Sequence, residues 1–449
     1  MIDGLLQTAR ENYNLLVVLA GASLLGIGAG IIGAFAVLRK RALTGDALSH
    51  AALPGLCIAF LILRERNLIA LLLGALASGV IGIAIISALG RWTRVKSDAA
   101  IGTVLTVFFG LGMMLLGIIQ HLPGVGSRAG LNSFIFGKTA GMTQGDVYVI
   151  LAAAVVCLGL IVVFYKEFQL VSFDAEFAGS LGWPVYGVDL LLMSLVAAAV
   201  VIGLPSVGVI LVSALLIMPG AAARFWTDRL STLLIVAGGC GFAMGFAGTL
   251  LSAADIPKIA ERVFGASGRE FALLKAFANL PTGPIIVLTG TAIFAASMLF
   301  GWRRGAIARL LAHLRFQRQW NERQLLQTIF DELESATPRR TVTRAALLAR
   351  RAWTGAQLAR MLAAARADGL IADEGGEISL TPPGAKAALE IARGQRLWQV
   401  FLTEYPELAA SVVNLVSASV AEFVPAATLA ELREKLQAAG RWPREEALA

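Results

Sequence analysis

The sequence predicts an all-α polytopic membrane bundle of about nine transmembrane helices, followed by a small α+β domain. Three observations carry that expectation. Of the 449 residues, 57% are hydrophobic and only 15% charged, with a mean hydropathy of +0.74; soluble chains average roughly 45–50% apolar and about 25% charged residues. The charge is also divided. Residues 1–304 hold 20 Lys+Arg and 14 Asp+Glu, whereas residues 305–449 hold 18 and 16 in less than half the length. Finally, apolar runs near the roughly 20 residues that a bilayer requires recur at 14–38, 42–63, 67–90, 99–119, 146–165, 185–204, 205–224, 230–252 and 282–302. Such a composition excludes a disordered chain, a disulfide-stapled secreted module and an ordinary cytosolic enzyme.

The expected domains are a transmembrane domain over 1–304, a juxtamembrane linker helix over 305–320 and a soluble domain over 321–449. Several spans are rich in small residues, as in Gly26-Ile27-Gly28-Ala29-Gly30 and Gly238-Gly239, which let helices approach closely in lipid. Alternate loops carry Arg39-Lys40-Arg41, then Arg91, Arg94 and Lys96, then Lys166, Arg224 and Arg229, and Arg303 and Arg304. Trp92, Trp183, Trp226 and Trp302 fall at the same side as an interfacial belt. That side is expected to be cytoplasmic, with the N-terminus outside, the tail inside and no cleavable leader. Cys57, Cys157 and Cys240 lie within apolar runs without metal-ligand spacing and read as packing residues. No GxxxxGK[ST] loop occurs, so ATP phosphates are not bound through that motif.

Charged groups inside spans are costly and mark function by default. Asp46 and His50 stand four apart near the start of the second run, hence on one helical face. A carboxylate beside an imidazole suits a divalent first-row metal. The alternative is an interfacial Asp at a helix start and a His hydrogen-bonded between helices. Pro54-Gly55 just beyond gives the backbone freedom near the pair.

The stretch 38–60, with the core Gly45-Asp46-Ala47-Leu48-Ser49-His50-Ala51-Ala52-Leu53-Pro54-Gly55, resembles the signature of the zinc/manganese/iron-type ABC importer permeases. Four further segments match that family in order: Ser97–Gly102, Ser172–Val185, Ser206–Gly220 and Leu280–Pro284. The resemblance covers most of residues 14–302. It implies a permease subunit of a divalent-metal importer, with manganese favoured and zinc or iron as alternatives, located in the bacterial cytoplasmic (inner) membrane. It implies that Asp46 and His50 hold the ion transiently, and that no cofactor is bound permanently. The implied partners are a cytoplasmic ABC ATPase, an extracytoplasmic metal-binding protein and a second permease copy or paralogue, alongside membrane lipid. Within 170–185, Phe173, Asp174, Glu176, Phe177 and Gly182 are the expected ATPase-coupling residues; Phe173, Phe177 and Leu181 recur at helical spacing and offer an apolar face. An amphipathic connector lying in the membrane interface is the other reading of that segment.

Asp98 is expected to cap the helix that starts there. The loop 253–281 reads equally as part of a docking surface and as helices lying on the membrane. In the tail, a helix from Thr354 with Leu358, Met361, Leu362 and Ala365 on one face precedes a turn at Gly375-Gly376 and a strand at Ile378–Thr381. Helices followed by a strand-turn-strand suggest a winged helix, and Asp368–Ile371 with Leu380–Gly384 resembles that of diphtheria-toxin-repressor-type metalloregulators. Gln395 stands in the region where those regulators carry metal ligands, and no His follows His313. With its near-neutral charge the tail is not expected to bind nucleic acid. A secondary metal-ion transporter and a membrane-tethered regulator are the alternative functions.

Overall fold

A computed structural model describes residues 13–65, 67–122, 134, 137–253, 281–335, 340–405 and 424–443. The loop expectation at 253–281 lies almost wholly outside these residues. The chain forms two compact units, Met1–Arg309 and Leu310–Ala449.

The first unit begins with α1 (Tyr13–Leu38), α2 (Thr44–Leu63), α3 (Leu68–Trp92) and α4 (Ser97–His121). After the 3₁₀ turn Thr139–Gly141 come α5 (Gln144–Val163) and two short helices, α6 (Tyr165–Phe173) and α7 (Ala175–Ser180). Then follow α8 (Val185–Val207), α9 (Val209–Ala223), α10 (Leu230–Ala253) and α11 (Thr282–Phe300). Local chemistry sets several boundaries. The Asn67 side chain accepts from the backbone N–H groups of Ile69 and Ala70 to start α3, and Thr143 and Asp146 form a reciprocal capping box on α5.

Eight of these helices are long and apolar enough to cross a membrane. Nine were expected, and the difference lies at 205–224. Pro205 and Gly208 interrupt that run, and Gly208 has φ +84°, a conformation that a residue with a Cβ rarely adopts. Gly208 closes α8 and opens α9, which keeps only 15 residues. At about 1.5 Å per residue such a helix is shorter than a roughly 30 Å hydrocarbon core. The backbone at the break is satisfied: Gly208 N–H donates to Leu204 O, and Val212 N–H to Gly208 O.

Glycines bring α1 and α10 together. A Cβ on Gly26 would lie 2.1 Å from Gly241 O, and one on Gly241 would lie 2.0 Å from Gly26 O. One turn away on each side, Gly30 faces Ala237 O and Gly245 faces Ala22 O. Two small-xxx-small faces thus pack backbone on backbone, as lipid-embedded helices do where there is no hydrophobic force between them.

The second unit contains most of α12 (Ala306–Ser335), then β1 (Val342–Thr343), α13 (Arg344–Arg350), α14 (Gly355–Ala367), β2 (Ile371–Glu374), β3 (Glu377–Leu380), α15 (Pro382–Glu404) and α16 (Ala426–Ala438). The expected linker 305–320 and segment 321–335 run as one continuous helix, α12. The strands form an antiparallel sheet in the order β1-β3-β2. β2 and β3 are joined by Gly375 and Gly376, both at positive φ, as a two-residue hairpin turn requires. Leu358, Met361, Leu362 and Ala365 of α14 are buried against Leu325, Ile329 and Phe330 of α12, with Ile371 and Ile378 from the sheet.

Candidate metal path and coupling face

Asp46 lies in the first turn of α2 and His50 one turn later. The His50 Nε2 is 3.9 Å from Asp46 Oδ1, too far for a hydrogen bond. The His50 side chain is 22% exposed and that of Asp46 41%, so the pair is reachable without being freely solvated. The His50 ring stands edge-on to Phe109 of α4, with centroids 4.8 Å apart, and its Nδ1 is buried without a hydrogen-bond partner among the described residues.

Two features outside the Asp–His motif complete this neighbourhood. Ser213, on α9, has its hydroxyl 3.3 Å from Asp46 Oδ1 and 3.3 Å from Val209 O, so its single proton is shared between them. Pro54 sits inside α2 and has no N–H to donate to the carbonyl of His50, four residues earlier. The neighbouring Ala51 carbonyl accepts from the Ser78 hydroxyl of α3 at 2.6 Å. The Ser213 hydroxyl and the Asp46 and His50 side chains therefore meet on one face of α2. Among the described residues no group of three or more His, Cys, Asp or Glu could hold an ion, so this neighbourhood offers two side chains of those types.

The segment expected to couple to an ATPase, 170–185, folds mainly as α6 and α7, with Asp174 between them. The Asp174 carboxylate accepts from the Phe177 N–H at 2.8 Å and so caps α7. Phe168, Val171 and Ala178 are buried and fasten the segment to the bundle; the Phe168 ring meets Phe35 of α1 edge-on at 5.9 Å. Phe173, Phe177, Leu181 and Trp183 are instead exposed, at 61%, 52%, 57% and 44%. Glu176 is exposed beside them, and Gly182 has φ +83° in open space. Asp98 differs from expectation: Lys96 occupies the capping position of α4 with no side-chain cap bond, and Asp98 sits in the first turn, where its charge complements the helix dipole.

An ion-pair clamp escaped the sequence reading. Asp189 of α8, 8% exposed, pairs with Arg39 at 2.5 Å and with Arg41 at 2.9 Å. The signal was available, because Asp189 is a lone carboxylate inside the apolar run 185–204. Ser213 offered no such signal, being one hydroxyl among many.

Residues 11–260 match the ABC 3 transport family. The chain is 38% identical over 393 residues to the manganese transport system membrane protein MntC of Bacillus subtilis (strain 168), covering 87% of this chain and 85% of that protein. It is 40% identical over 300 residues to the zinc transport system membrane protein TroC of Treponema pallidum (strain Nichols), covering 67% of this chain and 93% of that one. Among solved structures it resembles PsaBC from Streptococcus pneumoniae in complex with Fab, with a TM-score of 0.54 and 28% identity, over 70% of this chain and 99% of that chain. Eight membrane-length helices and these matches define a multi-pass membrane transport subunit. The chain belongs to the ABC 3 transport family. It is a permease subunit, not an enzyme, and ATP hydrolysis falls to a separate ATPase.

Proposed function

We propose that this chain is the permease of an inner-membrane importer for divalent first-row metal ions, with the ion passing Asp46 and His50. The observation that carries the reading is the Asp46–His50 pair on one face of α2, 3.9 Å apart and beyond hydrogen-bond reach of each other. Two metal–ligand bonds of about 2.1 Å span at most about 4.2 Å, so the spacing suits one ion held between the two side chains. The Ser213 hydroxyl supplies a nearby oxygen. A site with two strong ligands binds and releases readily, as a conduit must. A second permease copy or paralogue would bring further ligands around a shared axis. Manganese is favoured because carboxylate oxygens suit the harder ion, with zinc and iron accommodated by the imidazole. The names of the B. subtilis and T. pallidum relatives, a manganese and a zinc system, fit that range.

The exposed Phe173, Phe177, Leu181 and Trp183, set on a segment anchored by Phe168 and Ala178, are the surface we assign to ATPase docking. Asp174 holds the α6–α7 corner, while Glu176 and Gly182 flank the apolar patch. On this reading the Arg39 end of the bundle and the C-terminal unit lie in the cytoplasm, with the N-terminus outside, where an extracytoplasmic metal-binding protein delivers the ion. The C-terminal unit is read as a winged-helix-like regulatory or subunit-contact domain, on the strength of its β1-β3-β2 sheet and glycine hairpin. The test is uptake of radioactive manganese and zinc by cells whose only importer carries Asp46→Ala or His50→Ala. Uptake should fall at least tenfold with normal membrane insertion; full uptake by both variants, or uptake that survives deletion of the ATPase, contradicts the reading.

A further inference from the structure

We propose that the Arg39 end of the bundle contains an anion site that takes the phosphate group of a membrane lipid headgroup or a free phosphate. A cavity of about 330 Å³ opens there, lined by Arg39, Arg41 and Arg91, by Ser97 at the start of α4, and by Val185 and Asp189 of α8. Each water takes up about 30 Å³ of liquid, so the space holds a phosphate with its ester substituent. Three guanidinium groups face one carboxylate. Asp189 is already engaged by Arg39 and Arg41. Arg91 lies over the ring of Tyr186, 5.6 Å from the guanidinium carbon to the centroid. The cavity wall therefore carries two positive charges beyond what Asp189 neutralises.

Burial lowers the pKa of Arg39, and the neighbouring charge of Arg41 lowers it further, against the opposing pull of Asp189. A bound anion would relieve that repulsion. Helix starts contribute in the same sense: α4 and α8 both begin at this wall, and neither capping residue makes a side-chain cap bond, which leaves N–H donors for an anion. Asp98, the acidic residue in the first turn of α4, is exposed and does not line the cavity. Arginine forks match phosphate oxygens geometrically as well as electrostatically. The depth suits a headgroup, since Trp92, next to Arg91, is 81% exposed at the same end of the bundle.

Arg91→Gln and Arg94→Gln separate a built site from general attraction. Both remove one positive charge from the α3–α4 region, but only Arg91 lines the cavity. Native mass spectrometry of the delipidated full chain, titrated with phosphatidylglycerol, phosphatidylcholine or inorganic phosphate, gives the readout. Arg91→Gln should weaken phosphatidylglycerol binding about tenfold, the loss of one charge-assisted hydrogen bond, and Arg94→Gln less than about twofold. Phosphatidylglycerol that millimolar phosphate does not displace identifies the lipid as the source; displacement by phosphate, with the same dependence on Arg91, identifies the soluble ion. Equal losses in the two variants, or binding of phosphatidylcholine as tight as that of phosphatidylglycerol, overturn the site. Because Arg91 is exposed and pairs with no carboxylate among the described residues, Arg91→Gln is not expected to unfold the chain, and an unchanged melting curve verifies this.

Discussion

Gly241→Ala and Gly239→Ala stand two residues apart on α10, yet the packing predicts opposite consequences. The methyl group added at Gly241 would sit 2.0 Å from Gly26 O, where ordinary contact begins near 3.4 Å. The α1–α10 pair must then part by about 1.4 Å, and a gap of 1 Å already forfeits a quarter to a half of a dispersion contact. The neighbouring close approaches, Gly30 against Ala237 and Gly245 against Ala22, loosen with it. Overpacking of this kind costs about 1–3 kcal/mol, and the shared loss across the neighbouring turns argues for the upper part of that range. At about 2–4 °C per kcal/mol for domains somewhat smaller than this one, the melting temperature in detergent should fall by about 5 °C. Gly239 has nothing within 4 Å of the added atom, and alanine there gains about 0.5–1 kcal/mol of helix preference, so its melting temperature should hold or rise. Intrinsic tryptophan fluorescence during heating measures both. Equal shifts in the two variants, or no shift with Gly241→Ala, would refute the backbone-on-backbone packing.

Other consequences are as direct. Asp189→Leu leaves Arg39, whose side chain is 12% exposed, without its carboxylate; stranding a buried charge costs about 3–5 kcal/mol, read as a lower melting temperature, and an unchanged one speaks against the clamp. Phe173→Ala with Phe177→Ala should abolish co-purification of the ATPase while leaving the melting temperature within about 1 °C, because both rings are exposed; retained ATPase rejects the docking face. Burial raises the carboxyl pKa of Asp331 in the C-terminal unit, against the opposing pull of Arg350. Its stabilising protonated form is fully present below the unfolded pKa of about 4 and is lost as pH rises through the folded value. Asp331→Asn should therefore raise the melting temperature of that unit at pH 7 and not at pH 4; the reverse pattern contradicts the sign.

Much of the bundle was legible because lipid leaves few options. A run such as 67–90 must be helical where water cannot satisfy the backbone, and its length alone marks it as a span. The run 205–224 misled for the opposite reason, since hydropathy does not register that Gly208 breaks the helix while remaining apolar. Within the candidate site, Asp46 and His50 were readable because they are four apart and local geometry joins them. Ser213 was not readable, being 167 residues from Asp46 and brought there only by the packing of α9 against α2. The Arg39–Asp189–Arg41 clamp lies between. Its residues were visible as charges, but their pairing across 148 residues belongs to the tertiary fold.

The most direct test of the central claim is anomalous scattering from manganese bound to the full chain with its partner subunits. The account predicts a peak between the Asp46 carboxylate and the His50 Nε2, about 2.1–2.3 Å from each, and no peak there in Asp46→Ala. Manganese bound elsewhere in the bundle, or at this position despite the substitution, would contradict it.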